Sequence, residues 1–89
     1  MDMRKLVGRN FGRLRREKGF TQERFAEVSG MTQQYISDLE RGRRNPTVVT
    51  LFHLASALGV SHVALVMPDD EFDTSSKSAS GRKPARGNG

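Results

Sequence analysis

Two adjacent glutamines open a short segment whose polar side chains could bond the edges of nucleic-acid bases. At about 100° per residue of an α-helix, these polar side chains fall within about one quadrant. They are Gln33, Gln34, Ser37 and Arg41. Ile36 and Leu39 lie on the opposite side, with Tyr35 beside them, and would face a core. Because amides, hydroxyls and guanidinium groups bond base edges in the major groove, the segment predicts a helix that reads DNA, with an ordinary solvated face as the alternative.

A capped helix and a glycine turn come directly before that segment. Thr21 can accept a hydrogen bond from a first-turn N–H, which predicts a helix over residues 22–29. Gly30 can take the positive φ that ends this helix and turns the chain sharply, and Thr32 can cap the next helix. Two short helices joined in this way form a helix-turn-helix unit, whose second helix enters the major groove.

Three further helices complete a predicted all-α fold. Helix 1 is expected over residues 4–18, helix 4 from the cap Thr47 to Gly59, and helix 5 over residues 62–66. Apolar side chains at helical spacing predict the core: Val7, Phe11, Leu14, Phe20, Phe25, Ala26, Val28, Ile36, Leu39, Leu51, Leu54, Ala55, Leu58 and Leu65. Gly8 and Gly12 each cost a helix about 1 kcal/mol relative to alanine, so they predict close packing of helix 1 against a neighbour.

Length and composition restrict the class of function. Eighty-nine residues allow one domain with a modest core, too small for the usual cleft-bearing enzymes. There is no cysteine, and His53 and His62 lie nine residues apart without a carboxylate at ligand spacing, so we expect no enzyme, metal or cofactor. The sequence also contains no stretch of membrane-spanning length and no apolar leader, which predicts a cytoplasmic protein without a membrane partner.

Positive charge is concentrated in the part of the chain expected to fold. Residues 1–66 carry eleven Lys and Arg against six Asp and Glu, whereas residues 67–89 carry four of each. We therefore predict a DNA-binding domain over residues 1–67 and a flexible, disordered polar tail over residues 68–89. Arg82, Lys83 and Arg86 of the tail could touch DNA, although a solvated end without a fixed role is favoured.

The pattern over about residues 7–66 resembles the Cro/C1-type, or XRE, family of phage repressors and small bacterial regulators. The resemblance rests on Gly8 with Phe11 and Leu14, on Arg15, on Thr21-Gln22-Glu23, Tyr35-Ile36-Ser37, Leu39-Glu40-Arg41-Gly42 and Asn45-Pro46, and on Leu51 to Gly59. It implies a compact five-helix lambda-repressor-like domain that binds DNA sequence-specifically as a transcriptional regulator, a repressor or an autoregulator. It also implies a symmetric dimer on a palindromic operator. No effector domain accompanies the DNA-reading part of the sequence, so no small-molecule effector is expected.

The resemblance assigns roles to individual residues. The family's glutamine at the position of Gln22 contacts a phosphate and braces the recognition helix, and Arg15 is expected to pair with Glu40 as a scaffold. Gln33 and Gln34 resemble the paired glutamines of certain lambdoid repressors, which read adenine and guanine edges. An A·T pair is the expected target of Gln33, since glutamine bonds adenine bidentately.

Asp38 departs from these repressors, which often have an uncharged polar residue there. Its carboxylate would either accept a hydrogen bond from cytosine N4 or be repelled by the DNA backbone. Arg41 either neutralises Asp38 from one turn away or touches DNA itself.

The candidate residues fall into three sets. The expected base contacts are Gln33, Gln34, Ser37 and Asp38. The expected phosphate contacts are Gln22, Thr32, Tyr35, Arg41, Arg43, Arg44 and Asn45, with Arg9 and Arg13 as weaker candidates. The expected dimer interface is formed by Val48, Phe52, Val63, Val66 and Met67, together with Val49, although some of these side chains could instead complete the core.

Two other functions use the same fold. One is a protein-interaction adaptor or an antitoxin-type partner, and the other is a restriction-modification controller, which also binds DNA. The basic pair Arg43-Arg44 and the amide-rich face of the recognition helix favour DNA over a protein partner.

Overall fold

The computed structural model describes residues 1–68, and this part of the chain contains five α-helices and no strand. The helices are α1 (Met3–Glu17), α2 (Gln22–Ser29), α3 (Gln33–Glu40), α4 (Val48–Leu58) and α5 (Val63–Val66). The all-α, five-helix fold predicted from the sequence is confirmed. The predicted tail lies outside the described residues from Asp69 onward, as do Arg82, Lys83 and Arg86.

Threonine side chains start three of the helices. Thr21 accepts a hydrogen bond from the N–H of Arg24 at 3.0 Å, and Thr32 and Thr47 accept in the same way at the starts of α3 and α4. Gly30 ends α2 with a φ of 78°, a conformation that a side chain would strain. The predicted helix-turn-helix is therefore present, because each of its signals acts between residues close in sequence.

Helix starts differ from the prediction at two positions. α1 begins at Met3, one residue earlier than expected, because the Asp2 carboxylate accepts hydrogen bonds from the N–H groups of Arg4 and Lys5. α5 begins at Val63 instead of at His62.

The core lies where α1 packs against α3 and α5, and where α2 packs against α3 and α4. The ring of Phe25 meets the rings of Phe11 and Phe20 edge-on, with centroids 5.0 and 5.7 Å away. The prediction that Val28 joins the core is wrong, because 48% of its surface is exposed. It lies two residues, or about 200°, from the buried Ala26, on the side of α2 that faces away from its neighbours.

Close approach of α1 to α3 depends on Gly8. A Cβ atom at this position would lie 2.5 Å from the carbonyl oxygen of Leu39 and 2.9 Å from that of Glu40. The predicted close packing is thus confirmed. α1 runs directly against the C-terminal end of α3 and limits how that helix can tilt.

A buried asparagine joins the last helix to the first. Asn10 is 1% exposed, and its Nδ2 donates to the carbonyl oxygens of Leu65 and Met67 at 2.9 and 2.8 Å. Its Oδ1 accepts from Arg13 at 3.1 Å. These bonds satisfy a polar side chain inside the core and hold the end of α5 against α1. None of the helices over residues 1–68 is both long and apolar enough to cross a lipid bilayer.

Candidate nucleic-acid interface

The amides of α3 lie on its exposed face. Gln33 and Gln34 are exposed, as is the cap Thr32, whereas Ile36 and Leu39 are fully buried. The buried pair fixes the rotation of α3 in the fold, so the two glutamines lie on the surface of a helix that cannot turn freely. Ser37 and Asp38, the other expected base contacts, are half-buried.

The loop after α3 carries the cations. Arg41, Arg43, Arg44 and Asn45 are all exposed. The N–H of Arg43 donates to the carbonyl oxygen of Asp38 at 2.9 Å, which folds the loop back over the end of α3. If α3 continued as a straight helix, Arg44 would lie far from its exposed face. Because the loop folds back, Arg44 lies on that face.

Asp38 forms the centre of a polar network on that face. Its Oδ1 accepts a hydrogen bond from Gln34 Nε2 at 2.9 Å, and its Oδ2 accepts from Arg44 Nη2 at 3.4 Å. The side chain of Asp38 is 16% exposed. The sequence left two roles open for Arg41, neutralising Asp38 or contacting DNA. In the structure Arg44 is the residue that neutralises Asp38, and Arg41 is exposed.

Tyr35 is held beside this network. The guanidinium carbon of Arg44 lies 5.0 Å from the centroid of the Tyr35 ring, in the geometry of a cation–π contact. Burial raises the pKa of the Tyr35 phenol above its ordinary value of 10.0, and the positive charge of Arg44 opposes this shift. The phenol therefore keeps its proton at neutral pH and can donate a hydrogen bond to an anion.

Three hydroxyl-bearing residues line a cleft beside the start of α3. Thr32, Tyr35 and Thr50 line an open cleft of about 350 Å³, with Gly30 and Met31 completing its wall. The Oγ1 atoms of Thr50 and Thr47 lie 3.0 Å apart. Sequence patterns do not indicate Thr50, because its approach to α3 depends on how α4 packs against α2.

The other end of α3 is anchored by Glu40. Its carboxylate accepts from Arg15 Nε at 2.6 Å, from Arg15 Nη2 at 3.3 Å and from Gln22 Nε2 at 3.2 Å. The Arg15 and Glu40 side chains are only 10% and 13% exposed. Arg15 also donates to the carbonyl oxygen of Phe20 at 2.6 Å. One carboxylate thus ties α1, α2 and α3 together, and Gln22 retains a second N–H for another acceptor.

Exposed apolar side chains lie on α4 and α5, away from the amides in sequence. Val48, Phe52, Val63 and Met67 are 80%, 55%, 49% and 52% exposed, and Val49 is 64% exposed. The ring centroid of Phe52 lies 6.2 Å from that of His62, so α4 contributes to the same surface as the start of α5. Val66, also expected at the dimer interface, is half-buried and packs against the core.

Comparison with known proteins places this arrangement in a family. Residues 12–65 match the helix-turn-helix family model HTH_3. An uncharacterised HTH-type transcriptional regulator of Sinorhizobium fredii is 73% identical over 71 residues, covering 80% of this chain and 92% of the relative. The immunity repressor protein of Bacillus phage phi105 is 38% identical over 60 residues, covering 67% of this chain and 42% of the repressor.

A solved structure agrees with these sequence matches. The restriction-modification controller protein C.AhdI of Aeromonas hydrophila has a TM-score of 0.66 and 35% sequence identity, over 70% of this chain and 94% of the controller. The resemblance seen in the sequence is therefore confirmed, and the chain belongs to the HTH_3, or XRE-type, family of helix-turn-helix transcriptional regulators.

Proposed function

We propose that this regulator is a repressor or autoregulator that inserts α3 into the major groove and binds a palindromic operator as a dimer. The observation that carries the proposal is the pair of exposed amides, Gln33 and Gln34, on a helix whose rotation is fixed by the buried Ile36 and Leu39. Because the rotation of α3 is fixed, both amide side chains start from its exposed face, where they can reach base edges. Gln33, Gln34 and Ser37 are the base contacts in this proposal.

Phosphate contacts surround the reading helix in this proposal. Thr32, Tyr35 and Thr50 line the cleft beside the start of α3, and each has a hydroxyl that can act as a neutral donor. The side chains of Gln22, Arg41, Arg43, Arg44 and Asn45 provide further donors. Contacts of this kind set affinity and register on the duplex, and they carry no sequence information.

A second copy of the chain covers the exposed apolar surface of α4 and α5 in this proposal. Val48, Phe52, Val63 and Met67 form the centre of that interface. Symmetric dimers match palindromic operators, because the two reading helices then meet equivalent half-sites. The proposal places the protein in the cytoplasm and requires no metal, cofactor or small-molecule effector.

A restriction-modification controller is the second candidate, since the match to such a controller spans 94% of that protein. Both candidates bind DNA, so they differ in the genes that they control and not in the surface used. An adaptor or antitoxin-type partner would instead use the fold to bind protein.

Selection of bound sequences from random duplex DNA tests the proposal. Gln33→Ala should relax the preference at one base pair by about 1–3 kcal/mol. Arg43→Ala, as the matched variant in the loop, should weaken binding to all sequences alike and lower the dependence of affinity on salt. Equal affinity for every duplex, with tight binding of a protein partner, would favour the adaptor function.

A further inference from the structure

The bond between Gln34 and Asp38 restricts how the Gln34 amide can meet a base. An ionised carboxylate only accepts hydrogen bonds, so the atom that faces Asp38 Oδ1 at 2.9 Å must be the amide nitrogen. We infer that Asp38 is a positioning residue that orients the Gln34 amide, and that Gln34 consequently selects adenine and rejects guanine. This inference rests on the proposed function, whose specificity it makes more definite.

The two hydrogens on Gln34 Nε2 are not equivalent. One lies on the same edge of the amide as Oε1, and the other points away from Oε1. Donating the first to Asp38 would bring Oε1 towards the carboxylate, where two partial negative charges repel. Donating the second leaves Oε1 and the remaining hydrogen together on the edge that faces away from Asp38.

That free edge matches adenine. It offers one acceptor and one donor side by side, and adenine presents the complementary N6 donor and N7 acceptor in the major groove. Guanine presents two acceptors, O6 and N7, so Oε1 would face an acceptor there. Since Asp38 lies one turn towards the C-terminal end of α3, the free edge faces the N-terminal end, which enters the groove in helix-turn-helix proteins.

Each carboxylate oxygen of Asp38 already accepts a hydrogen bond from a neighbouring side chain in this arrangement. Gln34 occupies Oδ1, Arg44 occupies Oδ2, and the side chain is 16% exposed. The positive charge of Arg44 balances the carboxylate beside the phosphates. Asp38 therefore acts indirectly, by orienting Gln34. This role replaces the two that the sequence left open, accepting from cytosine N4 and being repelled by the DNA backbone.

Selection of bound duplexes with single and double variants tests the inference. Gln34→Ala identifies the base pair that Gln34 reads. Asp38→Ala should reduce the preference for adenine over guanine at that same base pair by roughly ten-fold, because the amide can then turn either edge to the base. In the Gln34→Ala background, Asp38→Ala should cause no further loss of preference.

Glu27→Gln is the matched control for charge. It removes one carboxylate from an exposed pair with Arg24 on α2, and it should leave the preference at every base pair unchanged. A change of preference at a different base pair in Asp38→Ala would show that Asp38 contacts DNA directly and would overturn the inference. A uniform change in the affinity of Asp38→Ala for all duplexes, with every base preference intact, would also overturn the inference.

Side-chain amide signals in NMR spectra separate this inference from the proposed function. The NH₂ signals of Gln34 in the free protein, identified by their loss in Gln34→Ala, should shift in Asp38→Ala and stay in place in Glu27→Gln. Unmoved signals in Asp38→Ala would overturn the orienting role without reference to DNA. If the wild-type chain prefers no base at any position, the proposed function and the adenine assignment fail together.

Discussion

Glu40 joins the C-terminal end of α3 to α1 and α2. Its carboxylate is 13% exposed and accepts three hydrogen bonds, two of them from Arg15. Removing Arg15 leaves this carboxylate with one neutral donor and also frees the Phe20 carbonyl. We expect Arg15→Ala to lower the free energy of unfolding by about 3 kcal/mol, as for other ion pairs largely removed from water. Urea unfolding followed by circular dichroism measures this.

The ion pair between Arg24 and Glu27 is the control. Both side chains are more than 60% exposed, so Arg24→Ala should change stability by less than about 0.5 kcal/mol. Similar losses in the two variants would mean that burial does not strengthen the pair at Glu40. Arg15→Lys should recover only part of the loss, because an ammonium group cannot donate in the fixed fork of a guanidinium.

Tyr35 gives a direct test of the contacts around Asp38 and Arg44. The chain has one tyrosine and no tryptophan, so phenolate absorbance on titration with base reports this group alone. The midpoint should lie above 10.0, because burial disfavours the phenolate. Arg44→Ala should raise the midpoint further, since it removes the positive charge that favours the phenolate. A lower midpoint in that variant would contradict the cation–π contact.

The raised pKa of Tyr35 also determines the sign of its effect on stability. The folded chain holds the phenolic proton more tightly than the unfolded chain does. This contribution to stability is therefore fully present below the unfolded pKa, near 10, and is lost as pH rises through the folded pKa. Urea unfolding at increasing alkaline pH should show this loss of stability in the wild type. The Tyr35→Phe variant has no phenolic proton and should not show it.

At the scale of the helices, the packing of α1 on α3 depends on Gly8, which has no side chain. Gly8→Ala would place a Cβ against two backbone carbonyls of α3, which cannot rotate away. The gain in helix propensity, about 1 kcal/mol, is outweighed by a steric cost of about 2–3 kcal/mol. We expect a net loss of about 1–2 kcal/mol in urea unfolding, and a loss of DNA affinity in fully folded protein, because α3 must tilt.

Gly12→Ala is the matched control on the same helix. Its Cβ would lie 3.2 Å from the Nη1 atom of Arg16 and from a carboxylate oxygen of Glu40, which are the ends of side chains and not backbone. The change in stability should stay within about 1 kcal/mol of zero. A larger loss than in Gly8→Ala would show that the Glu40 anchor tolerates less movement than the helix backbone.

The helices were predictable from the sequence because their signals are local. Each threonine cap and the turn at Gly30 act within four residues of themselves, and the apolar stripes need only helical spacing. The sequence does not predict the partners of Asn10 and Arg44, because these contacts require distant segments to meet. Asn10 reaches α5 across the core, and Arg44 reaches Asp38 only after the loop folds back.

At the scale of the whole molecule, two surfaces with different chemistry share one small core. The polar surface carries Gln33, Gln34 and the basic loop, whereas the apolar surface carries Phe52 and its neighbours on α4 and α5. Asn10 ties the end of α5 to α1, Glu40 ties α3 to α1, and α4 packs against α2 and α5. A dimer formed through the apolar surface would therefore hold its two reading helices at a fixed separation, which sets the spacing of the half-sites.

Phe52→Gln tests whether that surface joins two copies. The variant removes a 55% exposed aromatic ring from the proposed interface and should shift the protein to monomers in sedimentation or light scattering. Affinity for the full palindrome should fall by about a hundred-fold, because the second half-site no longer adds to the first, while affinity for a single half-site stays the same. Val28→Gln changes another exposed apolar residue, on α2, and should leave both properties intact. A Phe52→Gln protein that stays dimeric would place the contact between copies on another surface. Equal loss of half-site binding would show that Phe52 supports DNA binding within one copy and would contradict its assignment to the interface.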